Sequence, residues 1–313
     1  MSSKDGLGSK IIPSMAALAA GLAYGLGGTF NKMIAESGFA VGHIAIEQFL
    51  IASAILAVVT LVLYRRIPSL SVCLRLIAAG AFLGATTLFL YYAISELSVG
   101  QAVAIQFQYV WITLAIQCVV EKRRPNSWVV ACALIIIVGS LMGSGLVDEF
   151  VSGELQSVSA IGLIFAVACS VSYSCFMYLN SKIAVNEPPL MRTLFLALGG
   201  TAVVSIATPN FYMGACDIVG LAPGGLLMAL IAVVFPCACL GLASRTLPGG
   251  LVAVLTADEL PGAVFSGFLL LGETITPLII IGVLLICGGI VISEAKGELK
   301  PVQMGHISKQ PES

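Results

Sequence analysis

This sequence has very few charged residues. Asp, Glu, Lys and Arg together make up 10% of its 313 residues, whereas 58% are apolar and the mean hydropathy is +1.04. A soluble domain carries about 25% charged residues, so this composition excludes a soluble globular fold. The chain is predicted to be an all-α protein that crosses a membrane several times.

Histidines, basic runs and phosphate-binding loops are also scarce. Two histidines, His43 and His306, are too few for the clusters that metal or haem sites in membranes need, so we expect no metal, no cofactor and no catalytic residues. The net charge is −1 and there is no long Lys/Arg run, which excludes nucleic acid as a partner. No glycine-rich nucleotide loop is present, so ATP is not expected as the direct energy source.

Long apolar segments dominate what remains. A segment of roughly 20 apolar residues can cross a hydrocarbon core of about 30 Å. Ten such segments are predicted, at approximately residues 11–33, 43–64, 75–95, 99–120, 127–146, 159–180, 190–208, 224–244, 250–272 and 276–295.

The basic residues predict the orientation in the membrane. If the N-terminus is cytoplasmic, fourteen of the fifteen Lys and Arg residues lie in inside segments, and only Lys32 lies outside. This bias follows the rule that cytoplasmic loops are positive. We therefore expect a plasma-membrane protein with a cytoplasmic N-terminus (1–10) and a cytoplasmic C-terminal tail (297–313).

The two halves of the chain resemble each other weakly. Tyr24 aligns with Tyr173 and Asn31 with Asn180 at an offset of 149 residues. A repeat of five helices must be inverted in its second copy, because five is odd. We therefore predict two inverted five-helix repeats, 11–150 and 151–296, an arrangement typical of secondary transporters with a substrate site at the midplane.

Three motifs carry a resemblance to a known family. They are "PGAVFSGFLLLGETIT" (261–276), Glu121 at the corresponding end of the fourth segment, and the glycine-rich fifth and tenth segments "IIIVGSLMGSG" and "LLICGGIVI". With ten segments in two halves, the chain resembles the EamA-type branch of the drug/metabolite transporter superfamily. The resemblance implies a ten-helix transporter fold, on which amino acids, nucleotide-linked metabolites, cations or drugs are carried.

The ninth segment holds two adjacent carboxyl groups, Asp258 and Glu259, followed by Pro261. An ionised carboxylate at the bilayer centre costs about 2.5–3.5 kcal/mol, so these groups must be neutral, paired or turned to a cavity. One interpretation is a cation or proton site on the substrate path, with Glu259 as the preferred ligand. The other is a bend at Pro261, with Asp258 capping the helix that follows.

The fourth segment bears a polar stripe, and tyrosines occur in three other segments. Gln106, Tyr109, Thr113 and Gln117 share one helical face, which favours cavity lining, although single glutamines also join helices. The remaining predicted substrate-binding residues are aromatic and could stack on a substrate or hold a cation. They are Trp111, Tyr24, Tyr173 and Tyr91.

These features favour a secondary transporter, an exporter or facilitator, that moves a small polar metabolite by alternating access. The acidic pair points to an amino acid or amine as substrate, with protons as a candidate coupling ion. A non-transporting scaffold or receptor component is the first alternative, and a membrane-embedded enzyme is less favoured. The expected partners are the small molecule and the lipid bilayer. A homodimer is compatible with the sequence but not required by it.

Overall fold

The fold is entirely helical. A computed structural model of the protein describes residues 4–64, 66–97, 99–122, 127–152, 159–214, 216–272 and 274–296, and this part of the chain contains no β-strand. The predicted all-α membrane class is therefore confirmed. The predicted C-terminal tail, 297–313, and residues 1–3 lie outside the described residues.

Fourteen α-helices make up the described part of the chain. They are α1 (Lys4–Glu36), α2 (Val41–Leu63), α3 (Leu70–Glu96), α4 (Val99–Gln106), α5 (Tyr109–Glu121), α6 (Ser127–Gly143), α7 (Leu146–Ser152), α8 (Ala160–Asn180), α9 (Pro189–Ala207), α10 (Ile218–Met228), α11 (Phe235–Ala243), α12 (Gly249–Leu255), α13 (Glu259–Ser266) and α14 (Pro277–Lys296).

Eight helical segments among the described residues are long and apolar enough to cross a membrane. Two further apolar helices are shorter, Ser127–Gly143 and Pro277–Ser293. All ten predicted segments are thus helical, but eight of them meet the length of a span, and the count of ten spans stays a prediction. The predicted boundary between the repeats, at residues 150 and 151, falls within the short helix α7.

Two long segments of the second half are interrupted near a proline. Between α10 and α11 the chain makes a wide π turn, Ala229–Val234, and between α12 and α13 it makes a tight 3₁₀ turn, Thr256–Asp258. Proline lacks an N–H group and clashes with the carbonyl group four residues earlier. For Pro236 and Pro261 those carbonyls belong to Ala232 and Ala257, which lie inside the two irregular turns.

Glycines let several helix pairs approach closely. On α3, a side chain at Gly84 would stand 2.7 Å from the Cα atom of Gly200 on α9, and one at Gly139 on α6 would stand 2.8 Å from the Gly282 carbonyl oxygen on α14. Such small-residue contacts are typical of helix packing in membranes. Here they bring α3 against α9 and α6 against α14, the latter being the two shorter apolar helices.

The directions of packed helices follow from the contacts. Helix α3 runs parallel to α9, since Gly80 faces Leu196 and Gly84 faces Gly200. By contrast, α3 is antiparallel to α8, and α6 is antiparallel to α14. The main packed pairs are α1 with α11 and α13, α8 with α3, α4 and α5, α2 with α9 and α10, α3 with α9, and α6 with α14.

Candidate functional site

A cavity of about 660 Å³ lies between the helices of both halves. Its mouth, formed by Glu36, Ser95, Ser144 and Thr274, lies where α1, α3 and α6 end and α14 begins. Its floor consists of Tyr24, Gln106, Tyr173 and Glu259, all buried or half-buried. The cavity is lined along α1 from Tyr24 to Glu36, which corresponds to a depth of about 18 Å at 1.5 Å per residue.

The floor is close to the middle of the helices that form it. Tyr24 is near the centre of the apolar segment Ile11–Glu36, and Glu259 is near the centre of Gly249–Leu271. Both helices run in the same direction, because Gly21 of α1 faces Asp258, Gly25 faces Glu259 and Thr29 bonds Ser266. The cavity therefore reaches from one end of the helices to about half their length.

Glu259 is the carboxyl group at the cavity floor. Its side chain is 9% exposed, and its Oε1 atom accepts a hydrogen bond of 3.3 Å from Gln106 Nε2. Its second oxygen, Oε2, and the Oε1 atom of Gln106 have no hydrogen-bond partner. A buried acceptor without a partner loses free energy, so these two oxygens favour a ligand that donates hydrogen bonds. The structure thus brings together two of the predicted site residues, from opposite halves of the chain.

Asp258 is buried beside the cavity and does not line it. Its Oδ1 atom lies against Gly21 of α1 and has no hydrogen-bond partner. The alternative interpretation was that Asp258 caps the following helix. Its side chain makes no capping hydrogen bond to α13, so the structure does not contain this cap. Among the described residues, no group of three or more His, Cys, Asp or Glu residues could hold a metal ion.

Three predicted tyrosines meet beside Glu259. The Tyr173 ring lies edge-on to Tyr24 at 6.2 Å between centroids and packs against Tyr109 at 4.6 Å. The Tyr24 hydroxyl lies 3.6 Å from Cys237 Sγ, whereas the Tyr173 hydroxyl has no hydrogen-bond partner. The tyrosines of α1 and α8 that aligned in the internal repeat therefore stand side by side in the cavity wall.

The polar stripe on the fourth segment is divided between two roles. Gln106 lines the cavity, but Tyr109 and Thr113 are fully buried and do not. Tyr109 donates to the Ala253 carbonyl oxygen at 3.3 Å, and Gln117 Oε1 accepts from the Gly250 amide at 2.9 Å. The predicted cavity lining is therefore wrong for Tyr109, Thr113 and Gln117 in this structure, since α5 presents that face to α12.

Trp111 is a further predicted site residue that lies elsewhere. Its side chain is 47% exposed on the outside of the helical bundle, and its indole N–H donates to Gln108 Oε1 at 2.8 Å. It points away from the cavity, and Tyr109, two residues earlier on the same helix, faces α12. Trp111 is not part of the site formed here.

A second polar cluster lies in the cavity nearer the mouth. The Tyr91 hydroxyl donates to Gln48 Oε1 at 3.3 Å and also lies beside Asn31. Tyr91 is a predicted site residue, whereas Gln48 was not predicted from the sequence. Gln48 and the adjacent Glu47 point apart on α2: Gln48 lines the cavity, whereas Glu47 packs against Gly225 of α10.

The far end of the bundle is sealed around a buried arginine. Arg192 is 0% exposed and donates from Nη1 to the Gly241 carbonyl oxygen at 2.9 Å and from Nη2 to Asn180 Oδ1 at 2.8 Å and to the Asn180 carbonyl oxygen. These acceptors lie at the C-terminal ends of α8 and α11, where unpaired carbonyl groups attract a cation. These bonds hold the Arg192 side chain inside the bundle.

Two comparisons with known proteins found similarities to this chain. One solved crystal structure has a TM-score of 0.72 at 14% identity, over 93% of this chain and 99% of its own, which shows the fold alone. No curated protein matches this chain. Residues 11–144 match the sequence model of the EamA-like transporter family. This match confirms, over residues 11–144, the resemblance predicted from the sequence, and the chain is a multi-pass membrane protein that is similar to the EamA-like transporters in this part.

Proposed function

We propose that the protein is a secondary transporter that carries a small polar metabolite, an amino acid or an amine, through the central cavity by alternating access. The observation that carries this proposal is the cavity floor. There, Glu259 Oε2 and Gln106 Oε1 are buried acceptors without partners at the centre of the helices. A transport site is expected at this depth, where the two halves meet.

The helix directions support ten spans in two inverted repeats. Ten alternating spans require the first, third, seventh and ninth to be parallel, as α1 with α13 and α3 with α9 are. They also require the fifth and tenth to be antiparallel, as α6 and α14 are. We accordingly propose that the two shorter apolar helices also cross the membrane, with local thinning of the bilayer to match their length.

The packing pattern supports the repeat in the same way. In chain order, the ten spans are α1, α2, α3, α4/α5, α6, α8, α9, α10/α11, α12/α13 and α14. If the repeats are equivalent, each span corresponds to the one five places away. The pair α1–α13 then corresponds to α8–α4/α5, the pair α1–α11 to α8–α3, and the pair α3–α9 to α2–α10. Each of these partners is a packed pair in the structure. The pairs α2–α9 and α6–α14 map onto themselves, as contacts across a two-fold axis would.

Charge supports an outward-facing cavity in the plasma membrane with both termini inside. Basic residues lie in the loops and in the first turns of helices at the sealed end, and positive segments of this kind are typically cytoplasmic. Those described in the structure are Arg66, Arg75, Lys122, Lys182 and Arg245. At that end Lys182 forms an ion pair of 2.7 Å with Glu121. Opening toward the cytoplasm would have to separate α5 from α12 or release the helices held by Arg192.

The chemistry of the floor supports a substrate with a cationic donor group. An ammonium group offers three N–H donors and no acceptor, which matches the two unpartnered oxygens of Glu259 and Gln106. The Tyr24 and Tyr173 rings add faces on which a cation or an apolar side chain can rest. A proton could replace the substrate at Glu259 when the site is empty, which would couple transport to protons.

Uptake into liposomes tests the proposed function. Purified protein would be reconstituted and offered amino acids, amines and nucleosides, with and without a proton gradient, with protein-free liposomes as the control. We expect uptake of at least one amine-bearing solute and none of the nucleosides that lack a basic amine. Uptake equal to that of protein-free liposomes for every amine-bearing solute would contradict the proposal.

A further inference from the structure

The cavity has a second set of polar groups whose chemistry differs from that of the floor. Asn31 is 5% exposed, lines the cavity, and its Nδ2 atom, which carries two N–H donors, has no hydrogen-bond partner. Gln48 and Tyr91, which bond to each other, stand beside it. The floor therefore offers acceptors without donors to match, whereas the Asn31 amide carries two N–H donors, of which the neighbouring Tyr91 hydroxyl can accept at most one.

The two sets lie at different depths on the same wall. Glu259 packs at the level of Gly25, and Asn31 follows six residues later on α1, which is about 9 Å farther toward the mouth. Lys32, the next residue, also lines the cavity, as does Glu36 at the mouth. A single small molecule that fills this interval would meet acceptors at its inner end and a donor at its outer end.

We infer that Asn31, supported by Gln48 and Tyr91, is a subsite for a carboxylate of the substrate, so that the preferred substrate is a zwitterion rather than a simple amine. This inference rests on the proposed function, because it assumes that Glu259 and Gln106 bind the ammonium group. Asn31 would then be a residue that determines specificity. Its amide donates to a carboxylate oxygen, which a decarboxylated amine lacks, and the amine leaves Asn31 unpaired.

Matched pairs of probes test the subsite. Leucine would be compared with isoamylamine, and phenylalanine with phenethylamine, by competition in proteoliposome uptake and by thermal shift of the purified protein. A hydrogen bond to a charged group predicts that the wild-type protein prefers each amino acid over its amine by about tenfold to hundredfold. Asn31→Leu should reduce that preference to nearly equal binding, mainly by weakening amino-acid binding.

Asn31→Asp sharpens the test, because it keeps the shape of the side chain and replaces its donors with a negative charge. This variant should favour the amine over the amino acid. As a matched control, Gln108→Leu removes an amide that lies outside the cavity and should leave the wild-type preference unchanged.

The possible outcomes separate the two proposals. If the wild-type protein binds and transports these probes but Asn31→Leu and Asn31→Asp, both folded, keep its preference, the subsite is refuted and the proposed function stands. The same conclusion follows if the wild-type protein takes up amine and amino acid equally. If neither member of either pair is bound or transported, the role of Glu259 and Gln106 in binding an ammonium group fails as well.

Discussion

Two buried ionisable side chains, Arg192 and Glu259, occupy opposite environments in this protein. Arg192 is fully buried at the sealed end, and its two terminal nitrogens donate to three oxygen atoms of Asn180 and Gly241, while its Nε atom has no partner. Glu259 is nearly as buried at the cavity floor, but one of its oxygens has no partner and the other accepts one long bond. Burial of a charge alone therefore does not identify a binding site. Glu259 is the stronger candidate because its unpartnered oxygen lies at a cavity.

The largest effect is expected at Arg192. Arg192→Leu would leave three buried acceptors without donors, at about 1–3 kcal/mol each, so we expect a loss of roughly 3 kcal/mol or more in the free energy of unfolding. The measurement is the unfolding temperature and folded yield in detergent. Arg245→Leu, at an exposed site near the same end, is the control and should change stability by less than about 0.5 kcal/mol. Equal losses in both variants would refute a structural role for Arg192.

Substrate binding should depend most on Glu259. Glu259→Gln keeps the shape of the side chain but removes the carboxylate, and we expect uptake of an amine-bearing substrate to fall about tenfold to hundredfold, with folded yield unchanged. The part of the pH dependence of uptake that comes from Glu259 should disappear with it. The titratable groups around Glu259 that could contribute are Asp258, Tyr24, Tyr109, Tyr173 and Cys169.

The control for this variant is Glu96→Gln, since Glu96 is an exposed carboxylate near the mouth that accepts from Ser159 at 3.0 Å. It should leave both uptake and its pH profile as in the wild type. Unchanged, pH-dependent uptake by Glu259→Gln would assign Glu259 to structure alone.

A smaller pair of effects separates the two ends of the polar stripe. Gln106→Leu should weaken substrate binding about fivefold and leave stability nearly unchanged, because it removes a neutral cavity-lining amide. Gln117→Leu should do the reverse. It removes the acceptor for the Gly250 amide and should lower stability by about 0.6–1.7 kcal/mol without changing affinity. Titrated thermal shift reads both quantities, and the same profile for both variants would show that the stripe has one role.

The smallest effect is expected at Trp111. Because its side chain faces outward, Trp111→Leu should change uptake by less than about twofold and stability by less than about 0.5 kcal/mol. The comparison variant is Tyr173→Phe, which removes an unpartnered hydroxyl inside the cavity and should change the apparent affinity more than Trp111→Leu does. A strong loss of uptake in Trp111→Leu would return this residue to the site.

Some of the site could be predicted from the sequence, in part from a local signal and in part from the internal repeat. Carboxyl groups beside a proline in a long apolar segment indicate a cavity, since lipid does not tolerate them, and Glu259 does line one. The internal repeat also placed Tyr24 and Tyr173 together. The stripe from Gln106 to Gln117 was misread beyond its first residue. Helical periodicity predicts that polar residues share a face but not whether a cavity or another helix lies opposite.

The sequence by itself determined that this protein is an all-helical membrane protein with a polar interruption in its ninth apolar segment, because hydropathy and proline act within one helix. Only the tertiary structure decided which polar residues are left without partners. The ligand-binding candidates are Glu259, Gln106 and Asn31, because the neighbouring helices provide no hydrogen-bond partner for one polar atom of each side chain. Arg192 and Gln117 became structural because other helices provide those bonds. Hydrogen-bond completeness depends on neighbours in three dimensions, and no pattern along one helix can specify it.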